Sequence, residues 1–453
     1  MIHGYDTPYD FDMALTEPVF YMMQRGIRID KDVRNEFHRE THAQWEVFQA
    51  QLNSVAGHTL NANSPKQVKE FLYKEIGLPV RRNRGAVTAD ETALRSLMAL
   101  CDNKVKTLQQ EKAKFRWKRG YVGILLLLKI RGVRKQISSY IDVNIDDDFR
   151  MRTTLTIGGA RTFRFSASKT LWDTGCNLQT IPRDLRRMFV ADEGKEMAEL
   201  DLNRGESWVY SHLANEPEMI RIHATGGDFH TETACAISTV FGHFISVGAW
   251  KEFEERDPEG AYKLRYLGKK TNHASAYRMG PFRFAEVVNN EADDTGITIT
   301  IAQAREAQRL WRERYPFIEQ WWMDIEDRLN KNSRTLTTPY GRKRTFFGRW
   351  GEQLFKEATA HVPQSTSVDY INGGMLRVYH KLVKEKWHGL ELLHQNHDSI
   401  LIQYNEGDRD VVLPEVMGLL ESDLAIGSHT IQIPVEASYG QNWGELTTYA
   451  PAA

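Results

Sequence analysis

The chain has 453 residues, 41% of them hydrophobic, which is enough for a large buried core divided among roughly two to four subdomains. Its three cysteines, Cys101, Cys176 and Cys235, are odd in number and lack the spacing of metal ligands. This excludes a disulfide framework and a zinc site and predicts small core residues. The longest apolar run, residues 123–128, is far shorter than a bilayer span, and the amino terminus has no signal-peptide pattern. We therefore expect a cytoplasmic protein with no membrane partner.

The first part of the chain is predicted to be helical. Thr16 can cap a helix that ends at Gly26, and apolar residues at helical spacing predict a long amphipathic helix over residues 32–57. In the stretch "NSPKQVKEFLYKEIGLP", Ser64 has the features of an N-cap and Gly77 those of a C-terminal stop. The pattern therefore predicts consecutive helices in this region.

The formal net charge of -1 hides a strong local segregation of charge. Residues 104–135 contain eleven Lys or Arg and a single carboxylate, Glu111, with Phe115, Trp117 and Tyr121 interleaved. This density of cations and aromatic rings is typical of a phosphate-binding surface. A pair of helices with long snorkelling side chains would have the same composition, and the segment alone leaves both interpretations open.

Short alternating segments further along the chain predict strands. "RMRTTLTIG" (150–158) and "KEMAELDLN" (195–203) alternate as strands do, residues 207–332 have a helical pattern, and "ELLHQNHDSILIQY" (391–404) is typical of a hairpin. The order of helices, strands, helices and strands predicts the α+β fold class.

One predicted helix carries a stripe of cations. "RYLGKKTNHASAYRMG", residues 265–280, places Arg265, Lys269, His273 and Tyr277 four apart, so on a helix they share one face. Like charges at this spacing cost roughly 0.2–0.5 kcal/mol per pair. Without facing carboxylates, such a stripe predicts an anionic ligand, and a solvated basic face is the alternative.

Two aspartates are predicted to lie where strands end. Asp201 follows an alternating strand, and His397 and Asp398 occupy the polar turn of the predicted hairpin. On one sheet the two carboxylates would repel and shift each other's pKa unless a divalent cation lay between them, as in two-metal phosphoryl transfer. An Asp at a hairpin turn is otherwise an ordinary turn former.

These segments resemble the family A DNA polymerases, the bacterial polymerase I type. "DLNRGESWVYSHLA" resembles motif A, with Asp201 at the metal-binding aspartate and Glu206 at the glutamate that excludes ribonucleotides. "RYLGKKTNHASAYRMG" resembles motif B, the fingers helix, and "QNHDS" resembles motif C. Other matching segments are "TFRFSASKTLWDTGCNLQTIP", "DLRRMFVA", "GGDFHTETA", "HVPQSTSVD" and "PVEASYGQNWGEL". This ordered set is far more specific than any single motif.

The resemblance implies a template-directed DNA polymerase that uses two Mg²⁺ ions, with Mn²⁺ as a substitute. Asp201 and Asp398 would hold the ions, while Arg265 and Lys269 face the triphosphate of a dNTP. Lys269 is also placed to protonate the leaving pyrophosphate. Further nucleotide-binding residues implied are His273, Tyr277, His230, Glu206 and Arg186. DNA-contacting residues implied are Arg164, Gln364, His397, Lys112, Lys114, Arg116, Lys118 and Arg119.

The implied fold is a right hand with an antiparallel-sheet palm, helical fingers and a helical thumb. The expected domains are a lead-in helix packing on the palm (1–30), the thumb (31–150), the first palm part (151–212), the fingers (213–350) and the second palm part (351–453). The basic segment would then lie in the thumb and grip the duplex backbone without reading its sequence.

Besides Lys356 and Ala360, which stand where the family has Arg and Asn near the template strand, three residues depart from the family pattern. His273 stands where Phe or Tyr is usual. We therefore expect the Km for dNTP to decrease when the pH is lowered below about 6.5. The alternative is that the ring is merely a tolerated replacement. Arg278 replaces a glycine and either contacts template or phosphate or faces solvent. Ser399 replaces a third carboxylate, which should weaken metal binding, and Glu206 could compensate through water.

Other functions and partners follow from the same pattern. The first matching segment begins within about twenty residues of the start, which predicts no exonuclease domain in this chain and a phage or mobile-element enzyme in a bacterial or phage-infected cytoplasm. A separate exonuclease, a processivity factor or a helicase would join primer-template DNA and dNTPs as partners. The alternative functions are a non-catalytic or weakly active DNA-binding replication subunit, a single-subunit RNA polymerase and a two-metal nuclease.

Overall fold

The computed structural model describes residues 2–450, except for the side chain of Asp293. The chain forms two compact units. The first comprises Met1–Gly26, Leu155–Ala167 and Ala191–Ala453, and the second comprises Ile27–Thr154 and Ser168–Val190. The chain passes from one unit to the other four times: after Gly26, within strand Thr154–Thr156, within strand Ser166–Ser168, and after Val190. No helix in residues 2–450 is both long enough and apolar enough to cross a bilayer.

The first unit is built on an antiparallel sheet of five strands, here called the central sheet. Its strands, in spatial order, are Glu391–Asn396, Ser399–Asn405, Lys195–Leu202, Val435–Gly440 and Thr447–Thr448. The predicted hairpin is present, with His397 in the left-handed region at its turn (φ 60°). In the register of the sheet, Asp201 lies between Ser399 on one neighbouring strand and Glu436 on the other.

Helices surround this sheet in the first unit. They are Pro8–Ala14, Thr16–Arg25, Gly205–Leu213, Pro217–Ala224, Phe229–Ile237, Trp250–Arg256, Pro258–Ala276, Pro281–Asn290, Ala292–Thr295, Ile301–Arg314, Phe317–Lys331, Glu352–Val378 and Arg409–Leu420. The longest of them continues as the π-helical turn Tyr379–Val383. Its buried Tyr370 and Ile371 share a core with Leu200 and Ile400 of the central sheet. This packing holds the middle strands rigidly against a helix.

The remaining elements of the first unit are short. Two hairpin-like strand pairs are Thr335–Thr337 with Lys343–Thr345, and Leu424–Ile426 with His429–Ile431. Short 3₁₀ turns are Ser238–Phe241, Val247–Ala249 and Trp387–Gly389.

The second unit is mainly helical. Its helices are Lys31–Ala56, Pro65–Lys69 with the π-helical Glu70–Glu75, Glu91–Thr107, and Glu111–Gln136 with the π-helical Ile137–Ile141. Strands Ile27–Ile29, Arg150–Met151 and Phe189–Val190 form one sheet, Arg82–Asn83 and Ala86–Val87 form another, and Leu178–Thr180 and Arg183–Met188 are 3₁₀ turns. The basic segment therefore covers the end of one helix and almost all of the next.

Most predicted helix ends are confirmed. Asp30 caps the long helix by accepting bonds from two backbone N–H groups of its first turn, and Gly57 ends it in the left-handed conformation. Ser64 accepts a bond from the backbone N–H of Gln67, as an N-cap does, and Gly77 has a positive φ after the helical stretch. The three cysteines are buried and free, as predicted.

The predicted cap at Thr16 is wrong. Thr16 is already helical, because the preceding Leu15 keeps helical backbone angles (φ -65°, ψ -17°) and joins two helices. The capping residue of this region is Thr7, which forms a reciprocal capping box with Asp10 at the start of Pro8–Ala14. The earlier start was missed because the Thr16-Glu17-Pro18 stretch also satisfies the rules for a helix beginning.

Candidate active site

A cavity of about 510 Å³ opens at the end of the central sheet, within the first unit. Strands Lys195–Leu202 and Val435–Gly440 and the hairpin turn supply Asp201, Glu436 and Asp398, and most of the remaining lining comes from helices Gly205–Leu213, Phe229–Ile237 and Pro258–Ala276. The residues that line it include Asp201, Glu206, Asp228, His230, Arg265, Lys269, Asn272, His273, Tyr277, Asp398 and Glu436. Eight of the nine residues predicted to bind nucleotide or metal thus line one cavity, and Arg186 is the exception.

The two predicted metal-binding aspartates lie at adjacent strand ends. Asp398 is in the hairpin turn, and its backbone carbonyl accepts a hydrogen bond of 3.1 Å from the N–H of Leu202, the residue after Asp201. The left-handed backbone of His397 turns the chain so that Asp398 reaches the cavity. Both carboxylates line the cavity, as the sequence pattern predicted.

The two aspartates have raised pKa values. Removal from water raises the pKa of Asp201, and repulsion by the neighbouring carboxylates of Asp398, Glu199 and Glu436 adds to it. The pKa of Asp398 is also raised by removal from water and by the charges of Glu206 and Glu199, against the lowering effect of Arg164. Negative charge is therefore crowded at this end of the sheet, where a cation would relieve it.

The cationic stripe has a facing carboxylate that the sequence reasoning missed. The Nε atom of Arg265 donates to Oδ2 of Asp228 at 2.6 Å, and Asp228 also caps helix Phe229–Ile237 through the N–H of His230. The Arg265 guanidinium lowers the pKa of Asp228 to about 2 despite partial burial. Within residues 2–450, Lys269 takes part in no ion pair. The sequence analysis assumed that no carboxylate faces these cations. This assumption is wrong for Arg265 and correct for Lys269.

His230 is held in one orientation by a buried asparagine. The side-chain amide of Asn272 donates to Nδ1 of His230 at 3.2 Å, while its oxygen accepts from Thr233 and from the indole N–H of Trp311. These two donors fix which end of the amide faces His230. The ring therefore carries its proton on Nε2, and removal from water lowers its pKa to about 3. A neutral N–H donor is available beside the stripe.

Glu206 connects two residues that the sequence assigned to different roles. One oxygen accepts from Arg164 at 2.5 Å, and the other accepts from the hydroxyl of Tyr277. Burial and the Glu206 charge both raise the pKa of Tyr277, so its hydroxyl stays protonated. The carboxylate and the ring thus form one fixed barrier along the cavity.

His273 lies on the cavity lining between that barrier and the stripe. Removal from water and the positive charges of Lys269 and Lys270 lower its pKa, while the Glu206 charge opposes them. The imidazole is therefore neutral at pH 7, and its titration lies below the neutral range expected from the sequence.

The predicted DNA-contacting cations of the basic segment differ in their surroundings. Lys114 and Lys118 both pair with Glu111, and Arg119 donates to the backbone carbonyls of Val55 and Ala56 at 2.9 Å each. Lys112 and Arg116 are exposed and form no ion pair in the described part of the chain. Arg116 also stacks on the ring of Trp117. The exposed pair is thus better suited to bind phosphate than its neighbours.

The remaining predicted site residues lie outside the cavity lining or in the second unit. Gln364 is partly exposed on helix Glu352–Val378, and Arg186 belongs to the second unit, in the turn Arg183–Met188. Arg278 is partly exposed, pairs with Glu326 and packs over Trp322, and whether it contacts template or phosphate stays a prediction. The roles of Gln364 and Arg186 stay predictions.

Comparisons with known proteins concern the family and the fold of the chain. The model of DNA polymerase family A matches residues 31–445. DNA polymerase I of Helicobacter pylori is 24% identical over 93% of this chain and 42% of its own length, and the thermostable DNA polymerase I of Thermus aquaticus is 24% identical over 96% and 48%. The chain spans less than half the length of these relatives.

A solved structure shows the same fold. The POL domain of Pol1 from M. smegmatis, in complex with DNA primer-template and dNTP, matches 96% of this chain and 70% of that chain, with a TM-score of 0.73 and 20% sequence identity. This likeness confirms the predicted α+β polymerase fold. Together with the family match over most of the sequence, it shows that the chain belongs to DNA polymerase family A.

Proposed function

We propose that this chain is a template-directed DNA polymerase, a nucleotidyltransferase that adds dNTPs to a primer 3′-hydroxyl. The observation that carries the proposal is the convergence of the Asp201 and Asp398 carboxylates with Lys269 and Arg265 on one cavity. Carboxylates at one side and cations at the other suit a polyphosphate that arrives with metal ions. The relative solved with primer-template DNA and dNTP supports the same substrates here.

The donor set of the cavity fits hard divalent cations. Asp201 and Asp398 offer carboxylate oxygens, which are the ligands that Mg²⁺ prefers, and their crowding raises both pKa values in the absence of a cation. We assign two Mg²⁺ ions, with Mn²⁺ as a substitute, to these two residues. When bound, such ions activate the primer hydroxyl and neutralise the charge on the leaving group.

The stripe and His230 would bind the triphosphate. Lys269 supplies a charged donor, Arg265 a guanidinium whose position is set by Asp228, and His230 a neutral Nε2–H. In the reaction, the primer 3′-hydroxyl loses its proton to water, its oxygen forms a bond to the α-phosphorus, the bond from that phosphorus to the bridging oxygen breaks, and pyrophosphate leaves. Lys269 is placed to donate the proton that the leaving pyrophosphate takes up.

Glu206 and Tyr277 would select the deoxyribose. Their hydrogen bond uses the tyrosine hydroxyl, and Arg164 occupies the other carboxylate oxygen, so Glu206 has little freedom to accept a 2′-hydroxyl. A ribonucleotide would either clash with this pair or leave a polar group unpaired. Deoxynucleotides meet neither penalty, which favours DNA over RNA synthesis.

Primer and template would lie along the DNA-contacting residues already described. We assign Arg164, Gln364 and His397 to the strands near the cavity, and Lys112 and Arg116 to the duplex backbone. In this proposal residues 31–150 are the thumb, residues 151–212 and 351–453 are the palm with the central sheet, and residues 213–350 are the fingers. A separate exonuclease, processivity factor or helicase remains a prediction about partners.

Primer extension tests the proposal. The chain is incubated with a short primer-template, Mg²⁺ and either dNTPs or rNTPs, beside Asp398→Asn and the matched surface variant Asp327→Asn. We expect templated extension with dNTPs, little with rNTPs, a loss of roughly 10³-fold in rate for Asp398→Asn, and no change for Asp327→Asn.

Other outcomes of the same assay favour the rival functions. A primer of unchanged length under every condition, while the protein still binds DNA, would support the non-catalytic subunit. Efficient use of rNTPs would support an RNA polymerase, and shortening without nucleotides would support a nuclease.

A further inference from the structure

The Ser399 position raises the question of where a third carboxylate could come from. Ser399 lies directly across from Asp201 in the central sheet, so its side chain and that of Asp201 point to the same face. Glu199 precedes Asp201 by two residues on the same strand and therefore shares that face as well. Asp201, Ser399 and Glu199 thus share one sheet face on two strands, and Asp201 is the one of the three that lines the cavity.

The Ser399 hydroxyl holds Glu199 at this place. Its Oγ donates to Oε1 of Glu199 at 3.1 Å, and the carbonyl of Asn396 lies 3.3 Å away as a second acceptor. Ser399 is buried and carries no carboxylate of its own. The acidic group beside it is that of Glu199, which the serine hydroxyl binds.

The sheet places Glu199 next to both metal-binding aspartates. It stands two residues before Asp201 on the same face of one strand, and its partner Ser399 directly follows Asp398 in the hairpin. A carboxylate at this place can share the cations of the two aspartates, directly or through water.

We propose that Glu199 is the third carboxylate of the metal-binding site, supplied by the strand beside Ser399 and positioned by the Ser399 hydroxyl. This inference rests on the proposed function. It differs from compensation by Glu206, because both oxygens of Glu206 are already bonded to Arg164 and Tyr277. It also differs from a role for Glu436, whose carboxylate accepts from the side chain of Asn203.

The test measures Mn²⁺ binding without DNA or nucleotide, by the electron paramagnetic resonance signal of the free ion. Mn²⁺ takes the same oxygen ligands as Mg²⁺ and is directly observable. Glu199→Gln keeps the shape and can still accept from Ser399, so we expect a normal fold and an affinity about tenfold weaker. Ser399→Ala should weaken binding by less, since it only releases Glu199.

A swap of the two positions gives the sharper comparison. In Glu199→Ser with Ser399→Glu, the carboxylate moves to the neighbouring strand but stays at the same end of the cavity. We expect this double variant to regain most of the Mn²⁺ affinity that Glu199→Ser alone loses. Circular dichroism and thermal unfolding of each variant establish that the fold is intact.

Two results would overturn the inference. One is equal Mn²⁺ affinity for Glu199→Gln and the unchanged chain while Asp398→Asn binds weakly, which leaves the proposed function in place. The other is a larger loss for Glu436→Gln than for Glu199→Gln, which would move the third carboxylate to the other neighbouring strand. If Asp398→Asn alters neither Mn²⁺ binding nor primer extension, the proposed function itself fails.

Discussion

Arg265 shows how a local charge pattern can be completed by a distant residue. Its guanidinium is paired with Asp228, which stands 37 positions earlier and is also the N-cap of the neighbouring helix. A bound triphosphate must share this guanidinium with the carboxylate. Asp228 therefore orients Arg265 and, at the same time, repels the polyanion that the stripe attracts.

Replacement of Asp228 by Asn tests this balance. Asn still caps helix Phe229–Ile237, but it removes one negative charge from beside the triphosphate. We expect the Km for dNTP to fall about fivefold, equivalent to roughly 1 kcal/mol of reduced repulsion. Steady-state kinetics at fixed ionic strength measure the Km, and the control is Asp257→Asn, which changes the N-cap of helix Pro258–Ala276 in the same way. A Km that rises instead would mean that orientation of Arg265 outweighs repulsion.

His273 makes nucleotide affinity depend on pH, in a lower range than its ordinary pKa of 6.5 suggests. The folded pKa is lowered, so the ring is neutral at pH 7 and gains its charge only as the pH falls through that lowered value. Protonated His273 would add a cation beside Lys269, and the Km for dNTP should then fall.

The measurement is the ratio of Km values for the unchanged chain and His273→Phe across pH 5.5–8. We expect a constant ratio down to about pH 6.5 and a change of several-fold only below it. Taking the ratio removes the effects of other titrating groups, including Asp201 and Asp398. A constant ratio over the whole range would show that the ring is a tolerated replacement.

At the scale of elements, one glycine sets how closely two helices of the site approach. A Cβ atom on Gly268 would lie 2.3 Å from the backbone oxygen of His230 and 2.8 Å from the backbone nitrogen of Ala234. Both obstacles are backbone, so the helices would have to move apart. The Arg265 and Lys269 side chains flank this contact along the helix.

Gly268→Ala should therefore weaken both stability and nucleotide binding. We expect a loss of roughly 1–3 kcal/mol in the free energy of unfolding and a higher Km for dNTP. Gly132→Ala is the matched control, because that helical glycine has no atom within 4 Å of the added Cβ and should gain up to about 1 kcal/mol. Denaturant unfolding and steady-state kinetics compare the two. Equal behaviour of both variants would contradict the close packing.

How far the elements were predictable depends on the range of the interactions that make them. The caps at Ser64 and Asp30 and the hairpin at Asp398 follow from neighbouring residues, and the sequence pattern predicts the helix starts at Ser64 and near Asp30 and the hairpin turn correctly. The bond from Arg164 to Glu206 joins residues 42 apart, and no local pattern indicates it. The sequence around Asp228 indicates that it can cap a helix, but no local pattern indicates its ion pair with Arg265.

At the scale of the whole molecule, the near-zero net charge hides two kinds of cation: those bonded to other groups of the protein and those exposed to solvent. The basic segment has eleven Lys or Arg, but Arg119 uses its donors on the last carbonyls of helix Lys31–Ala56. A guanidinium that completes a helix end contributes to stability and has fewer donors left for phosphate. Lys112 and Arg116 have no such partner in the described part of the chain.

The salt dependence of DNA binding separates these two kinds of cation. The affinity for DNA falls as salt rises, and removal of one phosphate-binding cation makes the slope of log K against log salt less steep by about 0.9. Lys112→Ala with Arg116→Ala should therefore make it less steep by roughly 2 and weaken binding equally for all DNA sequences. Arg119→Ala should instead lose roughly 1–3 kcal/mol of unfolding free energy and leave the slope nearly unchanged. Fluorescence anisotropy of a labelled primer-template between low and moderate salt gives the slopes. If Arg119→Ala reduced the steepness of the slope as much as the double variant does, Arg119 would also contact DNA. An unchanged slope in the double variant would mean that this helix does not bind the duplex.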